Sequence, residues 1–223
     1  MGQKKQIFIS SVQKELELER AAVAGLIATD PFLLQHCIPV LFEKEPPPPR
    51  PSSKPYLAAL RHCSVYVLLL ANEYGHTDGD LSATHHEYRL AQELKLPTIV
   101  FLKGAVDAGR SAGTRALIEE IKQAGHTYKR FHDREDLKPE MLRAIMRTLA
   151  DEFSINATDL EISEGEHLIE SASAFETAVL NDVSVVSLDQ DLIDAFNHRV
   201  AAANGAPELT PAALLHEIGR AHV

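Results

Sequence analysis

The 223-residue sequence predicts an α/β fold built on a parallel β-sheet. Short apolar runs alternate with amphipathic stretches of ten or more residues, as expected for a chain of right-handed βαβ units. Residues 65–71 are apolar throughout, which is typical of a central parallel strand that helices cover on both faces. Apolar residues make up 45% of the chain, which is enough to fill a core of this kind.

The pattern begins with a strand at 6–10, rich in apolar and aromatic residues. A helix is predicted at about 12–28, because its apolar residues recur at helical spacing. A second strand is predicted at 38–42. The proline-rich loop that follows, 43–55, has two interpretations: an extended spacer of polyproline geometry, or a docking loop for a partner.

The remaining elements continue the alternation. Helices are predicted at about 55–62, 83–94, 112–123 and 137–153, and strands at 65–71, 97–102 and 128–131. In this assignment Pro139 falls in the first turn of the last helix, where proline is tolerated. Five such strands suit a flavodoxin-like sheet of order 2-1-3-4-5, with helices on both faces and a ligand crevice between strands 1 and 3.

The charge distribution divides the chain into two parts. Residues 153–223 hold 12 acidic and two basic residues, and so carry the whole formal net charge of −10. We therefore predict one domain at 1–152 and an acidic, mainly helical segment at 153–223. Within the segment, residues 183–187 could form a strand, 189–203 an amphipathic helix, and Thr210 with Pro211 a helix start. The segment is interpreted as a helical cap or as the start of a further module.

Composition argues against several classes of protein. No net basic region is present, so nucleic-acid binding through this chain alone is not expected. No apolar run approaches the ~20 residues that span a bilayer, so no membrane association is expected. The only cysteines, Cys37 and Cys63, fit two buried structural thiols in a reducing compartment, and predict a cytoplasmic protein. Motifs of P-loop ATPases and serine hydrolases are missing.

Polar residues follow the first and third strands at the predicted ligand-binding edge. Ser10 and Ser11 end strand 1, where they could donate to a phosphate or ribose, or cap a turn. The loop after strand 3 carries Asn72, Tyr74 and Gly75, which could line a base or nicotinamide pocket, or form a structural turn. The carboxyl ends of parallel strands meet at one edge, so these residues are expected to lie close together.

Several separated blocks of the sequence, which include these residues, resemble the domain-of-unknown-function 4062 family. The resemblance is carried by residues 7–16, 19–20, 56–57, 63–67, 72–75 and 84–88, and covers about 5–150. That family is similar to the TIR-like and nucleoside-deoxyribosyltransferase folds, and usually stands at the front of larger bacterial defence, signalling or regulatory proteins. In active relatives, a glutamate on the helix after strand 3 works at the N-glycosidic bond of NAD or a nucleoside. The resemblance implies this catalytic role for Glu87.

Glu87 has a competing structural interpretation. Thr84-x-x-Glu87 matches a capping box, in which Glu87 would bond back to the backbone N–H of Thr84 as helix N-cap. Cleavage of a ribosyl bond, by contrast, would use a fixed carboxylate to stabilise the developing cation or attack it. That chemistry requires no cofactor or metal; NAD or a related nucleotide would be the substrate or ligand.

A metal site is not favoured by the acidic and histidine-rich stretch 76–87. Adjacent helical residues point about 100° apart, so His85 and His86 do not face one ion together. The sequence also lacks the HExxH and EF-hand spacings and the PCxxC partner of zinc deaminases.

Three functions remain open at this point. The first is an enzyme that cleaves NAD or a nucleotide, for which a homo-oligomer could complete the pocket. The second is a non-catalytic module that binds a nucleotide or a partner protein and relays the signal to a downstream domain. The third is the N-terminal part of a regulator whose further portion binds DNA or ATP.

Overall fold

The computed structural model describes residues 3–42, 55–158 and 161–170. Seven strands are present in this part of the chain: β1 Lys5–Ser10, β2 Cys37–Val40, β3 Val65–Leu70, β4 Thr77–Asp78, β5 Leu81–Ser82, β6 Thr98–Lys103 and β7 Lys129–Phe131. The helices with both ends in the described residues are α1 Glu17–Thr29, α2 Pro31–His36, α3 Pro55–Leu60, α4 Ala83–Glu93, α5 Ala112–Gln123 and α6 Arg134–Phe153. Residues 161–170 are also helical.

Five strands form one parallel sheet in the order β2-β1-β3-β6-β7. In order of the sheet strands along the chain this is 2-1-3-4-5, so the predicted flavodoxin-like topology is confirmed. Strand β1 lies between β2 and β3, and Ser10 at its end is in register with Leu68 of β3. The point where the strand order reverses therefore lies between β1 and β3, where open α/β sheets bind ligands.

Helices cover both faces of the sheet, as the apolar run of β3 predicts. Val65, Val67 and Leu69 pack into one core with α1 and α6. Their neighbours Tyr66, Leu68 and Leu70 point the opposite way and pack with α3, α4 and α5. All six β3 residues are buried, which explains why this strand reads as a continuous apolar run rather than an alternating one. Ile169, from the helix at 161–170, belongs to this first core.

Three local features differ from the sequence prediction. Helix α6 begins at Arg134, because Asp133 caps it with a 2.9 Å bond from the Asp136 N–H. Pro139 therefore lies in the second turn, and its predicted first-turn position is wrong. Helix α1 begins at Glu17, later than predicted. The short helix α2 had no prediction; Asp30 caps it, with Pro31 as its first residue.

The loop after β3 also contains structure too short for a sequence pattern to reveal. Strands β4 and β5 pair in an antiparallel hairpin, with Gly79 at positive φ in its turn. Ser82, the last hairpin residue, leads directly into α4. The hairpin therefore sets where α4 begins.

Several predictions lie outside the described residues: the geometry of the proline-rich loop at 43–54, and the strand and helices expected between 171 and 223. In the part of the chain that the structure describes, no helix is both long and apolar enough to cross a membrane.

Candidate functional site

Ser10 and Glu87 meet at the carboxyl edge of the sheet. Ser10 ends β1 and is 1% exposed, and Glu87 lies on α4 and is 7% exposed. The Ser10 hydroxyl donates a hydrogen bond to Oε2 of Glu87. Two of the predicted site residues, 77 positions apart in sequence, are thus in direct contact at the end of β1, next to its partner strand β3.

The capping-box interpretation of Glu87 is wrong. Ser82 is the N-cap of α4, and its hydroxyl accepts a 3.3 Å hydrogen bond from the His85 N–H. Thr84 is the second residue inside the helix rather than its cap. The reason is the hairpin, which delivers Ser82 to the helix start. The side chain of Glu87 reaches the end of β1 instead.

Two large polar side chains adjoin this pair. Tyr66 is fully buried; burial raises the pKa of its phenol well above the ordinary value, and the Glu87 carboxylate raises that pKa further. The phenol therefore lies within electrostatic reach of Glu87. Arg20 is also buried, and its Nη1 donates to the Ile9 carbonyl at 2.8 Å and to the Ser11 hydroxyl at 3.3 Å. The guanidinium thus fastens the end of β1, and Ser11 serves as one of its acceptors.

The loop after β3 is fastened at its base by Glu15. This carboxylate accepts hydrogen bonds from two consecutive backbone groups, the N–H of Asn72 at 2.8 Å and the N–H of Glu73 at 3.0 Å. Gly75 has φ +82°, and a Cβ there would stand 3.3 Å from Cγ2 of Val12. The backbone angle strongly favours glycine, and the close approach of Val12 adds to this preference. The loop is thereby held against the segment that follows β1.

Tyr74 is held on another side of α4. Its hydroxyl lies 2.6 Å from Nδ1 of His85, and Nε2 of His85 lies 3.0 Å from Oε2 of Glu120 on α5. Arg89 donates to both oxygens of Glu120, and this pairing is the main reason why the pKa of Glu120 is lowered. An ionised Glu120 accepts from the Nε2–H of His85; when the ring is neutral, Nδ1 is then the acceptor for the Tyr74 hydroxyl, a tautomer assigned from the bonding pattern.

A cavity of about 410 Å³ opens at the carboxyl ends of β3, β6 and β7. It is lined by Glu15, Ala71, Asn72, Lys103, Gly104, Ala105, Val106, Gly109 and His132. Asn72 is the predicted site residue in this lining; Ser10 and Glu87 are not among the lining residues. The predicted residues thus divide into a buried pair (Ser10 and Glu87), an acceptor for Arg20 (Ser11), a loop held in place (Tyr74 and Gly75) and one residue of the cavity wall (Asn72).

In the described part of the chain, the cysteine and histidine side chains form no reactive centre of the kinds considered above. Cys37 and Cys63 are buried free thiols, as predicted, and burial raises the pKa of Cys37 to about 12, so its thiol is protonated at neutral pH. Within the described ranges, no three His, Cys, Asp or Glu side chains converge as metal ligands would.

Sequence reasoning missed the residues that organise this edge: Glu15, Arg20, His85, Arg110 and Glu120. Arg110 is 2% exposed and donates to the carbonyls of Ala71 and Lys103, which ties the ends of β3 and β6 together. The blocks that carry the family resemblance include Glu15, Glu19 and Arg20. The sequence pattern of a charged helix face does not indicate which of its residues has a buried partner. The His85–Glu120 contact joins residues 35 positions apart and has no local signal.

The fold and this edge define an α/β domain with a flavodoxin-like parallel sheet and a polar cluster at its topological switch point. The chain belongs to the family described as domain of unknown function DUF4062, whose model matches residues 6–146. No curated protein matches the chain closely enough to count as a relative.

Proposed function

We propose that the chain is a TIR-like sensor or effector of a cytoplasmic bacterial defence or signalling system that cleaves the N-glycosidic bond of NAD or a related nucleotide. One observation carries the proposal: the Glu87 carboxylate is buried at the β1–β3 switch point and held by the Ser10 hydroxyl. A carboxylate fixed at a ligand-binding edge, rather than used to cap its helix, is suited to act on a bound ligand.

Glu87 would act on the cation that forms as the bond breaks. The bond between the anomeric carbon and the base nitrogen opens, and its electron pair leaves with the base. With NAD the leaving nicotinamide is neutral and needs no proton. Glu87 stabilises the positive carbon, water adds to it, and the water proton passes to solvent. The bond from Ser10 orients the carboxylate before the reaction, so no reorganisation is needed in the transition state.

The other predicted site residues are proposed to contact the ligand. Asn72 lines the cavity and offers its amide. Gly75 would offer its backbone groups, since Val12 stands where a Cβ at Gly75 would project. Ser11 adjoins the end of β1, and Tyr74 would present its ring, since its hydroxyl is bonded to His85. A homo-oligomer is proposed to complete the pocket, and a downstream domain or partner protein to supply the trigger.

Nicotinamide release from NAD, followed by chromatography at low and high protein concentration, tests this function. Glu87→Gln is expected to lower the rate by about 100-fold or more, as does removal of one charge-stabilising group elsewhere. Ser10→Ala, which leaves the carboxylate in place but less well oriented, is expected to lose about tenfold. Glu93→Gln is the matched control, because Glu93 is an exposed glutamate at the end of the same helix.

Thermal melts of the three variants accompany the assay. Glutamine at position 87 keeps an acceptor for Ser10, so the free energy of unfolding should change by less than about 1 kcal/mol. Equal release by wild type and Glu87→Gln would overturn the catalytic assignment. No release by wild type at either concentration would exclude constitutive NAD cleavage by this chain.

A non-catalytic nucleotide- or protein-binding module is the second candidate. It is favoured by the 7% exposure of Glu87 and by a cavity whose lining does not include it. In that case NAD or ADP-ribose would bind without turnover, and Glu87→Gln would change affinity rather than product formation. Calorimetry with ADP-ribose, run beside the release assay, separates the two candidates.

A further inference from the structure

The cavity at the ends of β3, β6 and β7 contains an internal anion. The Glu15 carboxylate lines this cavity and receives both N–H groups of Asn72 and Glu73, at 2.8 and 3.0 Å. Two consecutive backbone N–H groups that converge on one anion form the kind of concavity in which proteins bind phosphates. Here a side chain of the same chain occupies that position.

Basic side chains support the walls of this cavity. Lys103 lines it directly, Arg110 donates to the carbonyls of Ala71 and Lys103, and Arg130 donates to the Gly104 carbonyl at 3.0 Å. Their carboxylate partners are Glu19, which pairs with Lys103, and Asp107, which pairs with both arginines. At the rim, Asp136 accepts from the His132 N–H.

Because these basic side chains already have carboxylate partners, the charge of Glu15 determines how a negatively charged ligand could bind in the cavity. An anion placed beside Glu15 would meet an uncompensated like charge. An anion that replaces Glu15 avoids this like charge at close range and takes over two hydrogen bonds that are already formed. Glu15 precedes α1, in a turn rather than within the helix, so its side chain can leave without disturbing helical hydrogen bonds.

We infer that this cavity is a binding site for the phosphate groups of a nucleotide, and that the Glu15 carboxylate is an internal competitor that holds the place of a ligand phosphate. The volume of about 410 Å³ lies within the range of roughly 300–1,000 Å³ found for small-molecule sites. The inference that the ligand is a nucleotide rests on the function proposed above; the anion site rests on the contacts of Glu15.

Displacement of Glu15 would also act on the loop after β3. The same two N–H groups would then be held by the ligand, so the phosphates would fasten the segment that carries Asn72, Tyr74 and Gly75. Binding is thereby coupled to the position of the predicted site loop. The coupling needs no new contact within the protein.

Titration of the isotope-labelled full chain with pyrophosphate tests the inference. The amide resonances of Asn72 and Glu73 should shift in the wild type at saturation. Glu15→Gln, which keeps the shape and removes the charge, should bind pyrophosphate about tenfold or more tightly, because the like charge no longer competes. Glu17→Gln is the matched control: it removes one negative charge two residues away, at an exposed position.

Two results would overturn the inference: unshifted Asn72 and Glu73 amides in the wild type, or Glu15→Gln affinity no higher than that of Glu17→Gln. If Glu15→Gln fails to fold, the wild-type titration decides alone. ADP should reproduce the pyrophosphate shifts and adenosine should not; an ADP that leaves these amides unshifted would overturn the nucleotide assignment. These measurements require no turnover, so their failure is distinguishable from a failure of NAD cleavage.

Discussion

Helix α4 presents two polar side chains to two different regions of the molecule. His85 and Glu87 are two residues apart, so their side chains leave the helix about 200° apart. His85 joins Tyr74 of the preceding loop to Glu120 of α5, while Glu87 meets Ser10 at the end of β1. In the first region, these bonds connect the loop after β3, α4 and α5, which indicates a stabilising role. The second places a carboxylate at the switch point of the sheet, where a ligand would bind.

Burial alone does not assign a role to either side chain. His85 and Glu87 are 3% and 7% exposed, and both bond across long sequence separations. His85 and Glu87 differ in the segments that their hydrogen-bond partners belong to. Loss of the His85 contacts would free a loop and a helix, whereas neutralisation of Glu87 would leave the strand and helix in place. Substitution of His85 should therefore lower stability more than activity, and substitution of Glu87 should lower activity more than stability.

His85→Ala is expected to give the largest loss of stability. The change removes a buried ring and leaves the partners Tyr74 and Glu120 without their shared contact, which should lower the free energy of unfolding by about 2–4 kcal/mol. Urea denaturation measures the effect. His62→Ala, at an exposed histidine near the amino ends of the strands, should change stability by less than about 0.5 kcal/mol. Equal effects at the two histidines would contradict the stabilising role.

Gly113→Ala should lower the stability of the protein by an intermediate amount, although this substitution usually stabilises a helix. Alanine is ordinarily the better helix former, but a Cβ at Gly113 would stand 2.5 Å from the Tyr74 ring. The ring must move, which should cost about 1–3 kcal/mol and weaken its bond to His85.

Gly25→Ala provides the matched comparison for this prediction. Gly25 lies inside α1 with no atom within 4 Å of the added carbon, so the same substitution should stabilise by about 0.5–1 kcal/mol. Thermal melts of both variants give the two signs. A stabilising Gly113→Ala would show that Tyr74 is not held against α5 as described.

The sequence was sufficient for the sheet and insufficient for the contacts at its edge. Strand order follows from apolar runs and the handedness of βαβ units, and both are local or general properties. The position of Ser10 beside the β3 loop follows from that order. The cap of α4 was misassigned to Thr84, because the hairpin that brings Ser82 to the helix start consists of two-residue strands. The Glu15 and His85 contacts depend on tertiary packing, which no periodicity records.

The pH dependence of Glu120 should give the smallest effect. Its bonds from Arg89, and then from His85, hold its pKa below the ordinary value of 4.5. A lowered carboxyl pKa contributes stability that is complete above the unfolded value and is lost as the pH falls through the folded one. The side chain is 34% exposed, so solvent screening keeps this contribution small. The difference in melting temperature between wild type and Glu120→Gln should therefore be present at neutral pH and shrink below about pH 4.5.

Asp107, whose pKa the arginines also lower, is common to both proteins and cancels in the difference. Glu119→Gln, at the more exposed neighbour paired with Lys122, should show almost no such change. A difference that grows on acidification would mean that Glu120 is held protonated and that it donates to His85 rather than accepting from it.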